Sequence, residues 1–427
     1  MDDIKKAYSL IKDYKGDKYS FGLDCLDSIP DHIKRFGDNT FLIISENDWA
    51  KPLKTEILGL LKKSNIVIKG LMDTCPPNSP SDSVLSLARA LEEKRPATLT
   101  CVGGGSALDC AKCANVLHSL FPGEDDIERF FGVGKVTSIM KKQDKKLLPF
   151  IAVQVTSGSG SHLTKYSNIT MTDTLQKKLI SDEAVIPDGA VFDYLSTKTM
   201  PRDLTLDGAL DGLSHSIESY FGSKGNDEGL FEEICLTSIR LIIDNLPGLA
   251  ADLENERLRE IIGLATDLGG YSIMIGSTNG PHLNSFSLVD ILSHGRACAI
   301  LQPYYTVFFA PSIRNKIIKL LGIYSSYLKE DLTTIDFSNT TSRSLGEMLA
   351  NAMIVFSKKI GFPTRLDDVE GFDNTHYKKA LVAAKNPQLE MKLKGMPVAL
   401  GQGHIDRYMG GVLEAARTGD FALIENL

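Results

Sequence analysis

Asp211 and His215 stand four positions apart in Thr205 to Tyr220, a run whose pattern predicts a helix. Both side chains should therefore leave one helix face, a turn apart. A carboxylate and an imidazole so placed make a bidentate scaffold for a divalent cation, although a simple hydrogen-bonded pair satisfies the same spacing. Asp207 lies one turn earlier and competes as a ligand. His282 follows Gly280-Pro281 and His294 precedes Gly295, so each is expected beside a chain break that holds it in place. One carboxylate with three imidazoles suits Fe(II) or Zn(II) better than Mg(II) or Ca(II), which prefer oxygen donors. Spacing alone leaves iron and zinc undecided. The other histidines, His32, His118, His162, His376 and His404, have no such company.

A second group of residues is suited to phosphate. Gly103, Gly104, Gly105 and Ser106 follow the predicted strand Ala97 to Val102 and open a helix. Glycines let a backbone turn tightly and approach a ligand closely, and a helix N-terminus favours an anion. Thr156-Ser157-Gly158-Ser159-Gly160-Ser161 repeats the combination after the predicted strand Leu148 to Val155. Two such turns at strand carboxyl ends point to a dinucleotide, because ligands of open α/β sheets bind there. Plain tight turns would use similar residues. Glu46 stands after a third strand, Thr40 to Ser45, where a carboxylate accepts bonds from ribose hydroxyls and repels a 2′-phosphate. That favours NAD over NADP. His162 ends the second turn and is a candidate to reach cofactor or substrate.

The elements that must position these groups fall into two parts. Strands at Thr40 to Ser45, Ile66 to Ile68, Ala97 to Val102 and Leu148 to Val155 alternate with helical patterns. One helix should begin near Pro52 with Leu53, Ile57 and Leu61 inward. Another should be capped by Ser81, with Val84, Leu87, Ala88 and Leu91 recurring at helical spacing. This rhythm predicts a Rossmann-like α/β domain built on a parallel sheet. Beyond about Asp193, helices are predicted at Thr205 to Tyr220, Glu228 to Asp244, Glu254 to Gly276, Arg296 to Phe309, Ile313 to Leu328 and Ser344 to Ile360. The expected division is an α/β dinucleotide-binding domain over 1–197 and an all-α metal-binding domain over 198–427. Pro122 to Lys146 reads as loop-rich, and Asn386 to His404 gives no clear pattern.

Composition sets the outer bounds. At 427 residues the chain exceeds the usual limit of a single core, and its 43% hydrophobic and 24% charged content is that of a globular protein. A net charge of −7 with no long basic face argues against nucleic acid. The charged start, MDDIKKAYSLIKDYKG, does not read as a signal peptide, and no apolar stretch approaches the roughly 20 residues needed to span a bilayer. Seven scattered cysteines suit reduced thiols in the cytoplasm. Cys110 and Cys113 spell C-x-x-C inside a predicted helix, and packing explains them better than redox or metal chemistry.

Taken in order, these segments resemble the iron-containing alcohol dehydrogenase family. Phe21-Gly22 is similar to its opening strand, and Pro77-Asn78 with Val84 to its P-N-P-T-x-x-x-V segment. Gly103 to Ser106 with Asp109 and Lys112 match G-G-G-S-x-x-D-x-A-K, and Thr156 to Ser161 resemble T-A-G-T-G-S. Asp126-Ile127 to Gly132 resembles a D-I-x-x-x-x-G segment, and Lys178, Pro187 and Asp193 follow a K…P…D order. Asp211 to His215 with Glu218 match D-A-L-T-H-x-x-E, and His294-Gly295 with Ala297 and Pro303 match a late H-G segment.

The resemblance implies that Asp211, His215, His282 and His294 hold iron, or zinc as in some relatives. It implies that Asn78, Gly103, Gly104, Gly105, Ser106, Asp109, Thr156, Ser157, Ser159 and Lys178 surround NAD(P). It also implies hydride transfer with a small alcohol or aldehyde, and a homo-oligomer. Two departures fall at positions expected near the chemistry. Phe286 replaces a further histidine of the family, and His162 replaces a glutamate. A lyase of the dehydroquinate synthase type would need more cations near the metal, and only Arg296 follows the segment Asn279 to Gly295 closely. An inactive relative that binds metal and nucleotide is the non-enzymatic alternative.

Overall fold

A computed structural model of the chain describes residues 2–223 and 229–427, apart from the side chains of Gln388 and Met391. Two compact units emerge, one of Tyr8–Pro201 and one of Met1–Ala7 with Arg202–Leu427.

In the first unit six parallel strands form one sheet. They are β1 (Tyr19–Gly22), β2 (Asn39–Ile44), β3 (Val67–Met72), β4 (Thr98–Gly103), β6 (Phe150–Gln154) and β9 (Gly189–Asp193), in the order β1-β9-β6-β4-β2-β3. A smaller sheet joins β5 (Gly132–Val133), β8 (Lys177–Ser181) and β7 (Tyr166–Thr170), with β7 antiparallel to β8.

Helices α1 (Asp3–Lys15), α2 (Ile29–Lys34), α3 (Lys51–Lys63), α4 (Ser81–Lys94), α5 (Gly105–Leu120) and α6 (Lys135–Gln143) precede the helical part. Strand side chains alternate between faces, and two cores result. Phe41, Ile43, Leu99, Cys101, Phe150 and Ala152 pack with Val84, Leu87 and Leu91 of α4 and with α5. Leu42, Ile44, Val102, Ile151 and Val153 pack with Ile29 and Ile33 of α2 and with Ile57 and Leu61 of α3. Burying strands on both faces explains why they read as nearly continuous apolar runs.

In the second unit α7 (Arg202–Gly222), α8 (Leu230–Ala251) and α9 (Glu256–Ile275) pack against one another. Next come the short α10 (Gly280–Ser285) and α11 (His294–Phe309), which packs on α7 and on α13 (Ser342–Lys359). Helices α12 (Arg314–Ile323), α14 (Asn374–Ala384), α15 (Glu390–Lys394) and α16 (Gly410–Thr418) complete it. The α7–α9 crossing is tight, since a Cβ on Gly269 would stand 2.8 Å from the Gly212 carbonyl oxygen.

Four sequence expectations change. Pro122 to Lys146 contains α6, whose apolar Val136 is buried, so the stretch is not loop alone. Ser81 is the first residue of α4 rather than its cap; its hydroxyl bonds Thr172 Oγ1 at 2.9 Å. α8 is long and apolar enough to cross a membrane, contrary to the reading of the sequence, and over half of its apolar window is buried within this unit. Its predicted first residue, Glu228, lies outside the described residues. His294 opens α11 rather than preceding it, so the helix starts two residues earlier than expected.

Candidate metal centre and dinucleotide turns

One face of α7 carries Asp207, Asp211, His215 and Glu218, as helical periodicity requires. Asp211 sits centrally. Its Oδ1 lies 3.7 Å from His215 Nε2, 3.5 Å from His282 Nε2 and 3.9 Å from His294 Nε2. The rings are close too, with centroids 4.8 Å apart for His215 and His282 and 4.9 Å for His282 and His294. All four residues named from the sequence therefore converge within this unit.

The backbone is shaped to permit this approach. A Cβ on Gly295 would stand 2.1 Å from the Asp207 carbonyl oxygen and 2.9 Å from Asp211 Cβ, so only glycine lets the start of α11 meet α7. Asp207, the rival ligand, is already engaged. It accepts hydrogen bonds from Ser293 Oγ at 2.6 Å and Arg296 Nε at 2.8 Å, and so ties α11 to α7.

Neighbouring groups orient the imidazoles. Glu218 is fully buried and meets His282 Nδ1 at 2.5 Å through Oε1; its Oε2 accepts from the Asn279 N–H at 2.6 Å. A carboxylate at Nδ1 fixes the proton there and leaves the Nε2 lone pair facing Asp211. Ser285 Oγ similarly meets His294 Nδ1 at 2.9 Å. The result is unusual for a buried site. Asp211 Oδ1 and His282 Nε2 have no hydrogen-bond partner among the described residues, though each residue is over nine-tenths buried. Burial raises the Asp211 carboxyl pKa, yet the imidazoles of His215, His294 and His282 outweigh it and hold the group well below the usual range. Burial pushes His215 down to about 4, so this imidazole is neutral and its lone pair is available. Buried donor atoms that converge with no hydrogen bond between them fit a cation.

Three further residues belong to this place. Cys298 follows His294 by one helical turn, and its sulfur joins ligand atoms of Asp211, His282 and His294 in a group all within 4.8 Å of one another. The i,i+4 spacing of His294 and Cys298 was visible in the sequence, just as that of Asp211 and His215 was. Phe286 fills the position where the resemblance expects a histidine, 5.7 Å from the His294 ring. Lys392, from α15, stands 5.4 Å over the Phe286 ring and bonds Thr278 Oγ1. Burial lowers its pKa. No sequence signal pointed to Lys392, whose position depends on long-range packing of a segment without clear periodicity. His294 is the most open of the clustered groups, its side chain 24% exposed.

In the first unit, neighbouring β2, β4 and β6 end in Glu46, the glycine turn and the Thr156 turn respectively. The two turns touch. A Cβ on Gly104 would meet Thr156 Oγ1 at 2.8 Å, and one on Gly105 would meet Ser159 Oγ at 2.7 Å. Asn78 holds a left-handed backbone at φ 67°, and its N–H donates to Ser106 Oγ at 3.0 Å. Beside them a cavity of about 210 Å³ is lined by Ile43, Asp73, Thr74, Ser83, Leu87 and Ala107, among others.

Other predicted residues hold the turns in place. Asp109 accepts from Ser161 Oγ at 2.6 Å and from the Asn168 N–H at 2.8 Å. Lys112, also buried, donates to the carbonyls of Ser161, Thr164 and Tyr166. Ser157 is buried in the second turn. Lys178 pairs with Glu128 at 2.5 Å, and Glu46 pairs with Lys54. His162 is buried between Tyr19 and Phe192, its Nε2 2.9 Å from Tyr19 Oη. Cys110 and Cys113 lie in the sheet core, their thiols pushed up by a Cys75 hydrogen bond with burial and by burial respectively, which suits packing.

Two family models match successive stretches of the chain. Residues 16–194 match the model for iron-containing alcohol dehydrogenase, and residues 205–393 match the C-terminal model of the Fe-containing alcohol dehydrogenase family. A probable NADH-dependent butanol dehydrogenase of Bacillus subtilis is 30% identical over 57% of this chain and 60% of its own length. A second such protein of Bacillus subtilis is 27% identical over 83% of this chain and 87% of its own. Among solved structures, the sulfoacetaldehyde reductase of Bifidobacterium kashiwanohense in complex with NAD+ superposes with a TM-score of 0.73. It is 21% identical and matched over 94% of this chain and 97% of its own.

Proposed function

The chain belongs to the iron-containing alcohol dehydrogenase family, and from that premise we propose that it interconverts a small primary alcohol and its aldehyde using NAD(H). It is an NAD(P)-dependent oxidoreductase, as relatives named NADH- and NADPH-dependent dehydrogenases support. We assign the cation to Asp211, His215, His282 and His294, with Fe(II) as the expected ion and Zn(II) as the alternative. The observation that carries this is the pair of buried, unbonded lone pairs on Asp211 Oδ1 and His282 Nε2, 3.5 Å apart.

When bound, such a cation lowers the pKa of an alcohol hydroxyl or polarises an aldehyde carbonyl. The nicotinamide supplies the hydride chemistry. The protein supplies orientation. Glu218 and Ser285 fix the two imidazoles, and the partly exposed His294 edge gives the substrate access. Phe286 is 6% exposed and carries no titratable group, so it excludes water beside His294 and relays no proton. His162, held by Tyr19, supports its turn.

For the dinucleotide we propose Gly103, Gly104, Gly105 and Ser106 with Thr156, Ser157 and Ser159 at the phosphates. Asn78 and Asp109 hold those turns, and Lys178, which pairs with Glu128, is included on the family resemblance. Glu46 at the end of β2 favours NAD over NADP, although its pairing with Lys54 tempers the repulsion of a 2′-phosphate. A polyanionic lyase substrate is disfavoured because Arg296 is committed to Asp207. We further propose a soluble, cytoplasmic homo-oligomer that binds neither nucleic acid nor membrane.

His282→Ala should abolish bound metal and alcohol-dependent NADH formation together while leaving the circular dichroism spectrum unchanged. Elemental analysis and an alcohol panel with NAD and NADP check this. Turnover retained in a metal-free variant would reject the mechanism.

A further inference from the structure

We propose that Cys298 provides a sulfur ligand to the cation of this site, an inference that rests on the metal reading above and deepens it. Three observations combine. Cys298 has no exposed surface, and its sulfur lies within 4.8 Å of ligand atoms of Asp211, His282 and His294. It shares a face of α11 with His294, one turn on, as Asp211 and His215 share a face of α7. The sulfur faces two over nine-tenths-buried ligand atoms, Asp211 Oδ1 and His282 Nε2, that have no hydrogen-bond partner among the described residues. His215 is absent from this tight set, although its Nε2 is 3.7 Å from Asp211 Oδ1. The sulfur therefore belongs to a mutually close donor set with three of the four residues that the sequence singled out.

The chemistry is a ligand exchange without change of oxidation state. The thiol S–H bond breaks, a metal–sulfur bond forms, and the proton leaves to solvent. Burial raises the pKa of the free thiol, but a coordinated thiol is deprotonated by the ion itself. The set then has one oxygen, imidazole nitrogens and one soft sulfur, which favours Zn(II) and Fe(II) over Mg(II), Ca(II) and Mn(II). Two anionic donors also neutralise a dication, so the site can be buried without a residual charge.

Cobalt(II) is the probe, because thiolate bonding to it produces an intense near-ultraviolet charge-transfer band that oxygen and nitrogen donors do not give. The metal-stripped full chain is titrated with Co(II) and compared with Cys298→Ser, Cys298→Ala and, as a control, Cys235→Ser in α8. The wild type should bind one cobalt per chain with this band and release one proton more than Cys298→Ser. Both Cys298 variants should bind cobalt and lose the band, while Cys235→Ser keeps it. One bound cobalt without the band in the wild type would overturn the sulfur ligand and leave the metal reading standing. A band that persists in both Cys298 variants would also overturn it. Failure of the wild type to bind cobalt at all would overturn both.

Discussion

Glu218 is fully buried and spends both carboxylate oxygens on the site, one on His282 and one on the backbone of Asn279. It is an orienting group for the imidazole, not a ligand. Glu218→Gln keeps the shape but lets the amide present a donor where Nδ1 needs an acceptor. Metal affinity should fall about 10- to 100-fold, as measured by competition with a chelator. An unchanged affinity would mean that His282 is oriented by something else. At this scale the sequence was informative wherever helical spacing was the signal, as with Asp211 and His215. The same spacing in His294 and Cys298 carried equal information once α11 is seen to begin at His294. Ser285 and Lys392 reach the cluster through tertiary packing, and no periodicity encodes that.

Among the elements, the approach of α11 to α7 is the most exacting. Gly295→Ala would place a methyl 2.1 Å from a backbone oxygen, which cannot move without shifting a helix. Overpacking of this kind costs about 1–3 kcal/mol. Both Tm and metal content should drop, because the helix that moves carries His294. An alanine variant with full metal content would show that the helices are freer than this contact implies.

In the other unit, α2 and β9 enclose His32. Burial pulls its pKa down to about 4, its Nε2 meets Ser20 Oγ at 2.9 Å, and its buried Nδ1 has no hydrogen-bond partner among the described residues. The unfolded chain takes up a proton near pH 6.5, whereas the folded chain does so only near pH 4. This contribution to stability is complete above about pH 6.5 and lost as pH falls towards 4. Urea midpoints of wild type and His32→Gln should therefore converge between pH 7 and pH 5; parallel curves would contradict the shift. β2, β4 and β6 were legible because both faces are buried, and the long helices because one stripe is; the half-exposed β3 showed only its start, and β9 was not read as a strand. The short β7 and β8, with two lysines, two serines and a threonine in ten residues, and the small amphipathic α6 gave too weak a pattern.

Over the whole molecule, chemistry is divided between two compact units. Tyr8–Pro201 carries the glycine turns, and Arg202–Leu427 carries the cluster of Asp211, His215, His282 and His294. The change from alternating strands and helices to helices alone was visible in the sequence, whereas nothing there marked Met1–Ala7 as part of the helical unit. The α/β unit offers phosphate-friendly backbone and no comparable group of metal donors among its described residues. The central claim is thus that one ion, at one place in the helical unit, accounts for the family's chemistry in this chain. Anomalous diffraction at the iron absorption edge, from crystals grown with Fe(II), tests it directly. A single peak about 2.0–2.2 Å from Asp211 Oδ1 and from Nε2 of His215, His282 and His294 is the predicted result. Iron bound only elsewhere, with those four atoms uncoordinated, would contradict it.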